Sequence, residues 1–86
     1  MTTQFELATG VAVEEVGGIA VLTTETGDAA VLNATAYSML EFVLADFSTA
    51  SDCMMAKYNV SKDEVIDDLN AFVARLCGLG LLKEII

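Results

Sequence analysis

At residue 33 the hydrophobic period of the chain changes, and this change limits the fold more than any other feature. Residues 29–32, Ala-Ala-Val-Leu, are a short unbroken apolar run behind the turn pair Gly27-Asp28. Such a run suits a buried strand, whereas the apolar residues after Asn33 return at three- and four-residue intervals, the spacing of a helix. Everything before the junction reads as strand and everything after it as helix, which makes the chain α+β. Asn33 fits the switch because its side-chain carbonyl can accept from the free N–H groups of a new helix while its own backbone stays extended. If residues 29–32 are the last strand of a small sheet, that strand is an edge and presents a row of unpaired backbone donors and acceptors.

Upstream of the junction, Val11 and Val13 alternate with Ala12 and Glu14. Gly17-Gly18 then supplies the positive φ angles of a tight hairpin, and residues 19–22 form a second, wholly apolar strand. A second connection over residues 23–28 leads into residues 29–32. The expectation is a three-stranded antiparallel meander with its second strand at the centre and its third at an edge. Residues 1–10 are polar apart from Phe5 and Leu7, whose alternation permits a further strand without requiring one. They are read as an N-terminal arm to a domain of residues 11–86.

Downstream, Ala36, Leu40, Val43, Leu44 and Phe47 define a helix over Ala34–Ala45 whose apolar face covers the sheet. A second helix is expected over residues 49–58, capped by Ser48 or Thr49, with Asp52 in its first turn and Asn59 closing it in a left-handed conformation. The third begins at Ser61-Lys62-Asp63-Glu64, a capping box in which serine and glutamate satisfy each other's backbone donors. Val65, Leu69, Phe72 and Leu76 form one stripe along it, and Ile66, Val73 and Cys77 form a second beside the first, wider together than one core contact needs. Gly80 stops this helix and Leu81-Leu82 supply the apolar contact that accompanies a glycine cap. Residues 81–86 either return to the core or add a strand.

The chain has 86 residues, 55% of them hydrophobic, and carries a formal charge of −9 with Lys57, Lys62, Arg75 and Lys83 as its only cations. That length is one domain with modest stability, and that apolar content is enough for a packed core. The charge repels a phosphate backbone, so nucleic acid is excluded as a partner, including by a helix-turn-helix reader whose recognition helix would carry Asp63, Glu64, Asp67 and Asp68. No apolar run approaches the roughly 20 residues of a membrane span, and the first ten residues lack a signal peptide's basic start and apolar middle, which points to the cytoplasm. In that compartment Cys53 and Cys77 are read as free thiols. The chain has no histidine, so the commonest general base and the commonest zinc nitrogen ligand are both missing, and no metal, cofactor or catalytic residue is assigned.

Asp67 and Asp68 are neighbours on the third helix and point about 100° apart, so they are not a paired acid and base. Asp67 belongs to a solvated face. Asp68 flanks the Val65 and Phe72 edge of the apolar arc, with Arg75 two turns on, and is placed to fix a polar group of a bound peptide. Tyr37 and Tyr58 are read as structural aromatics. An alternative reading is an acyl carrier protein with phosphopantetheine on Ser38. It suits the acidic composition, but carriers place that serine in Asp-Ser-Leu where this chain has Tyr37-Ser38-Met39, and the Gly17-Gly18 hairpin lies where a carrier has its first long helix.

The ordered set comprising the hairpin about Gly17-Gly18, Val31-Leu32-Asn33 with Thr35 after it, Tyr58-Asn59-Val60, the stripe Val65, Leu69, Phe72 and Leu76, and the closing Gly80-Leu81-Leu82 resembles the PqqD family of peptide chaperones. These are the leader-recognition domains of ribosomally made, modified peptides, and the resemblance runs from about residue 11 to residue 82. Two departures are Ala29-Ala30, where many members have a bulky residue, and Asp46-Phe47-Ser48, where many have a glycine. The resemblance implies a winged-helix-like fold and a non-catalytic protein that captures an extended leader by strand addition and presents it to a separate modifying enzyme or leader peptidase. The free form of lasso-peptide clusters is the nearest in flavour. It further implies a groove walled by Ala29, Ala30, Val31 and Leu32 of the third strand and by Val65, Asp68, Leu69, Phe72, Arg75 and Leu76 of the third helix. This is where the periodicity alone leaves an unpaired edge beside surplus apolar surface. An exposed edge also permits a strand-paired or swapped dimer in place of a monomer.

Overall fold

Gly17 and Gly18 both adopt positive φ, 60° and 87°, and the two-residue turn they make joins β2 (Ala12–Val16) to β3 (Ile19–Thr23). A connection containing Gly27 at φ 91° returns the chain as β4 (Ala29–Leu32). The sheet order is β2-β3-β4, antiparallel throughout. The expected meander forms, with β3 central and β4 at an edge. The structure, a computed structural model, describes residues 3–85. Expectations for residues 1, 2 and 86 lie outside the described residues.

Residues 4–7, read from the sequence as part of an arm, form a strand, β1 (Gln4–Leu7), which pairs antiparallel with β5 (Leu82–Ile85). The two ends of the chain are thereby joined in a second, two-stranded sheet, which also settles the course of the last residues. Phe5 is buried at 8% exposure, and its ring meets Phe47 edge-on at 5.0 Å. The Gln4 amide donates to the carbonyls of Val43 and Leu44 at 3.4 and 3.2 Å and accepts from the Phe47 N–H at 3.1 Å. One side chain thus satisfies backbone groups on both sides of a helix corner, which alternation of Phe5 and Leu7 alone could not reveal.

Helix α1 spans Ala34–Ala45, with the Asn33 side chain accepting from the Ala36 N–H at 2.8 Å, as its residue type suggested. Helix α2 spans Phe47–Tyr58 and begins two residues earlier than expected. Its cap is Asp46 rather than Ser48 or Thr49, because the Asp46 carboxylate accepts from both the N–H and the hydroxyl of Ser48, at 3.1 and 2.7 Å. The expected first-turn Asp52 therefore lies beyond the first turn. Asn59 closes α2 at φ 51°. Helix α3 spans Lys62–Gly78; Ser61 caps it by accepting from the Glu64 N–H, and after Gly80 the Leu81 N–H donates to the Leu76 carbonyl at 2.9 Å.

Two apolar clusters share α3. Met39, Val43, Met54, Val65, Leu69 and Val73 gather with Phe5 in one, and Ala20, Leu22, Ala30, Leu32, Leu40, Leu76, Leu81 and Leu82 in the other; Phe72 and Cys77 pack against both. The two stripes foreseen on α3 merge into one buried face, leaving Phe72 half-buried on one flank and Ile66 exposed on the other.

Candidate functional site

Strand β4 meets β3 with Leu22 opposite Ala30 and Val21 opposite Val31. Just beyond the strands the Thr24 N–H donates to the Asp28 carbonyl at 2.9 Å, and these two residues continue the same register. In an antiparallel pair, hydrogen-bonded and non-hydrogen-bonded positions alternate. Ala30 and Leu32 therefore direct their backbone N–H and C=O groups at β3, while Ala29 and Val31 direct theirs away from it, toward the open side of the sheet. The sequence reading walls the groove with all four residues of this strand and takes Ala30 and Val31 as its ladder groups; the register turns Ala30 toward β3 and leaves Ala29 and Val31 at the outward positions.

Side chains alternate in the same rhythm. Ala30 and Leu32 are buried beneath the sheet, whereas Val31 is 65% exposed. Where β4 ends, a cleft of about 340 Å³ opens between the first turns of α1 and the middle of α3. Asn33, Thr35, Ala36 and Met39 form one wall, and Asp68, Ala71, Phe72 and Arg75 form the other. The four α3 positions follow i, i+3, i+4, i+7, which is one helix face. Phe72 supplies apolar surface there, and Asp68 and Arg75 place one charge of each sign at the exposed rim.

Of the ten residues named from the sequence, Ala29, Val31, Asp68, Phe72 and Arg75 lie at the edge or in the cleft. Val65, Leu69 and Leu76 have their side chains in the core, at 3%, 3% and 1% exposure, because the arc that faces the other helices is the most apolar one. Asn33, Thr35, Ala36, Met39 and Ala71 complete the cleft and were not assigned to it. Helical spacing from Asp68 would have found Ala71, but nothing local marks the first turns of α1 as facing α3.

Ser38 is 7% exposed, and its hydroxyl oxygen is engaged by the Lys57 ammonium at 2.8 Å and the Tyr58 hydroxyl at 2.9 Å. Buried and doubly hydrogen-bonded, it ties α1 to α2 and is not presented to a transferase, so the acyl-carrier reading of Ser38 loses its site. Tyr58 has the structural role expected of it. Burial first, and then the Glu15 and Glu41 carboxylates, raise the pKa of Tyr37 above its ordinary 10.0. Burial first, and then Glu84, raise that of Cys77 above 9.0. Among the described residues no three His, Cys, Asp or Glu side chains are grouped to hold a metal ion, and no helix is long and apolar enough to cross a membrane.

A second cleft of about 290 Å³, lined by Phe47, Ser51, Ile66 and Asn70 among others, lies on the other flank of α3 and has no contact with β4.

Comparison with known proteins extends this picture. Among curated protein sequences none matches the chain. Two solved structures share its fold. One is TbiB1 in complex with the TbiA(beta) leader peptide, at 22% identity and a TM-score of 0.83 over 91% of this chain and 94% of that one. The other is lasso peptide synthetase B1 complexed with the leader peptide, at 22% identity and a TM-score of 0.85 over 93% and 98% of the two chains. The profile of the family described as Coenzyme PQQ synthesis protein D matches residues 18–82, a stretch that holds β3, β4, all three helices and every residue lining the first cleft. The chain belongs to the PqqD family.

Proposed function

We propose that this protein binds the leader segment of a ribosomally made precursor peptide in the cytoplasm and presents it to a separate modifying enzyme or leader peptidase, without catalysing a reaction itself. The observation that carries the reading is the pair of outward backbone positions, Ala29 and Val31, on an uncharged edge that runs directly into the cleft at Asn33. An extended peptide placed along β4 would exchange hydrogen bonds with those groups and continue past Phe72. The family membership and the leader peptides in both matched structures support the same occupant. The chain has no histidine, and the Ser38 hydroxyl, which the Lys57 ammonium and the Tyr58 hydroxyl engage, is buried at 7% exposure and lies outside the cleft.

Both walls are needed on energetic grounds. Ordering a leader of about ten residues costs roughly 1–2 kcal/mol of backbone freedom per residue, more than a few net hydrogen bonds return. Apolar burial against Phe72 and Met39 supplies part of the difference.

Val31→Pro tests the strand. The substitution removes an N–H that points away from β3, so the internal ladder keeps its bonds and proline sits where edge strands tolerate it. The expected result is an unchanged circular dichroism spectrum with leader affinity, measured by calorimetry, reduced about tenfold or more. A folded Val31→Pro that binds as tightly as wild type removes strand addition from the account. Turnover of a precursor by the isolated chain would remove the non-catalytic role.

A further inference from the structure

We infer that Thr24 and Thr26, in the turn between β3 and β4, are positioning residues for the peptide: their hydroxyls lock the strand at the point where Ala29 turns its backbone outward. The inference rests on the peptide-binding reading above and adds to it the side chains that hold the edge in shape.

The backbone N–H and C=O of Ala29 face away from β3, so their direction follows from how Asp28 and Ala30 are tied. Ala30 is tied by the ladder to Leu22. Asp28 sits opposite Thr24, at a position where the two residues of an antiparallel pair ordinarily exchange both backbone bonds. Only one of the two forms. The Thr24 N–H donates to the Asp28 carbonyl at 2.9 Å, but the Thr24 carbonyl is taken by the Gly27 N–H at 3.1 Å. The Asp28 N–H donates instead to the Thr24 hydroxyl oxygen at 3.1 Å, so a side chain completes the last pair of the sheet.

That hydroxyl is itself held. The Thr26 hydroxyl donates to Asp28 Oδ2 at 3.2 Å, which commits its one proton. In the 2.9 Å contact between the two hydroxyls Thr24 is therefore the donor. The bonds close a ring that runs from the Asp28 N–H to Thr24, on to Thr26 and back to the Asp28 carboxylate. Glu25 of the same turn lies across the backbone of Gly10, where a β-carbon would stand 2.6 Å from its Cδ, so the turn also rests on the connection between β1 and β2.

A strand of four residues depends on such an end. Fraying from the turn would swing the Ala29 groups out of line, and a peptide would meet a competent edge only in the unfrayed fraction, its apparent affinity reduced by that fraction. Order that exists before binding does not have to be supplied by the peptide. At the far end of β4 the Asn33 side chain plays the matching part through the Ala36 N–H. The edge is thus pinned by side chains at both ends, while its outward groups stay free.

The test compares Thr24→Val, which keeps the shape of the side chain and removes the hydroxyl, with Thr24→Ser, which keeps the hydroxyl. Amide hydrogen exchange of the free protein, read by NMR, should quicken at Asp28 and Ala30 in Thr24→Val and stay at wild-type rates in Thr24→Ser. Stopped-flow fluorescence with a labelled synthetic leader peptide should show about fivefold weaker binding by Thr24→Val, the worth of one hydrogen bond. The loss should lie in association, with dissociation near the wild-type rate, because what falls is the competent fraction. Thr24→Ser should bind as wild type does. Circular dichroism controls for folding, and Thr26→Val, which opens the ring at an exposed residue, takes the place of Thr24→Val if that variant does not fold. Wild-type exchange and affinity in the folded valine variant overturn the inference. So does a loss confined to faster dissociation, since the turn would then be touching the peptide directly, and so does an equal loss in Thr24→Ser. If wild type binds no leader, the peptide-binding reading fails and takes this role with it, whereas wild type and folded Thr24→Val binding equally well removes the positioning role alone.

Discussion

Asn33 holds the junction of strand and cleft together. Its carboxamide oxygen fixes the first turn of α1 through the Ala36 N–H at 2.8 Å, and that turn presents Thr35 and Ala36 to the cleft. At the rim, Asp68→Ala should weaken leader binding about fivefold, the worth of one hydrogen bond, with no change in thermal stability; calorimetry and a melt check both halves. Cys77 carries a different expectation. Its thiol pKa is raised in the fold, chiefly by burial, so the folded state favours the neutral form. That contribution is whole below the unfolded value near 9.0 and is lost as pH rises toward the folded value. Stability measured by urea denaturation should therefore fall above pH 9.0, and more steeply in wild type than in Cys77→Ala.

At the scale of elements, β1 is the piece that local signals leave undecided. Four residues with one buried aromatic do not announce a strand, yet Phe5 fills the space against Phe47, and Gln4 bonds the α1–α2 corner. Phe5→Ala should destabilise the fold by about 3–5 kcal/mol, the usual range for a buried phenylalanine, a large share of what a domain this small possesses. Urea denaturation of the variant checks it, and a loss under 1 kcal/mol would mean β1 is dispensable, as an arm would be. The helix boundaries divide by the same logic. Asn33, Ser61, Asn59 and Gly80 act within four or five residues of themselves and were legible, whereas Asp46 displaced Ser48 and Thr49 as the cap of α2 because its carboxylate captures both the N–H and the hydroxyl of Ser48.

For the whole molecule the net charge of −9 acts at a distance. A leader carrying lysine or arginine should associate faster at low ionic strength and bind less tightly as salt is raised, since ions screen the field over roughly 10 Å at 0.1 M. Titration across a salt series reads this directly, and a flat response with a basic leader would reduce the carboxylates to a solubilising role.

The order of three strands and three helices, the α+β class and the open β4 edge were set by the sequence itself, because turns, caps and hydrophobic period are interactions among near neighbours. The tertiary structure decided the rest. It chose which arc of α3 is buried, sending Val65, Leu69 and Leu76 into the core and Asp68, Ala71, Phe72 and Arg75 to the cleft. It brought α1 opposite α3 to make the second wall, and it joined β1 to β5 across nearly the full length of the chain. Each of these depends on contacts between residues far apart in sequence, where several faces are apolar enough to be buried and only the mutual packing of all the elements selects one.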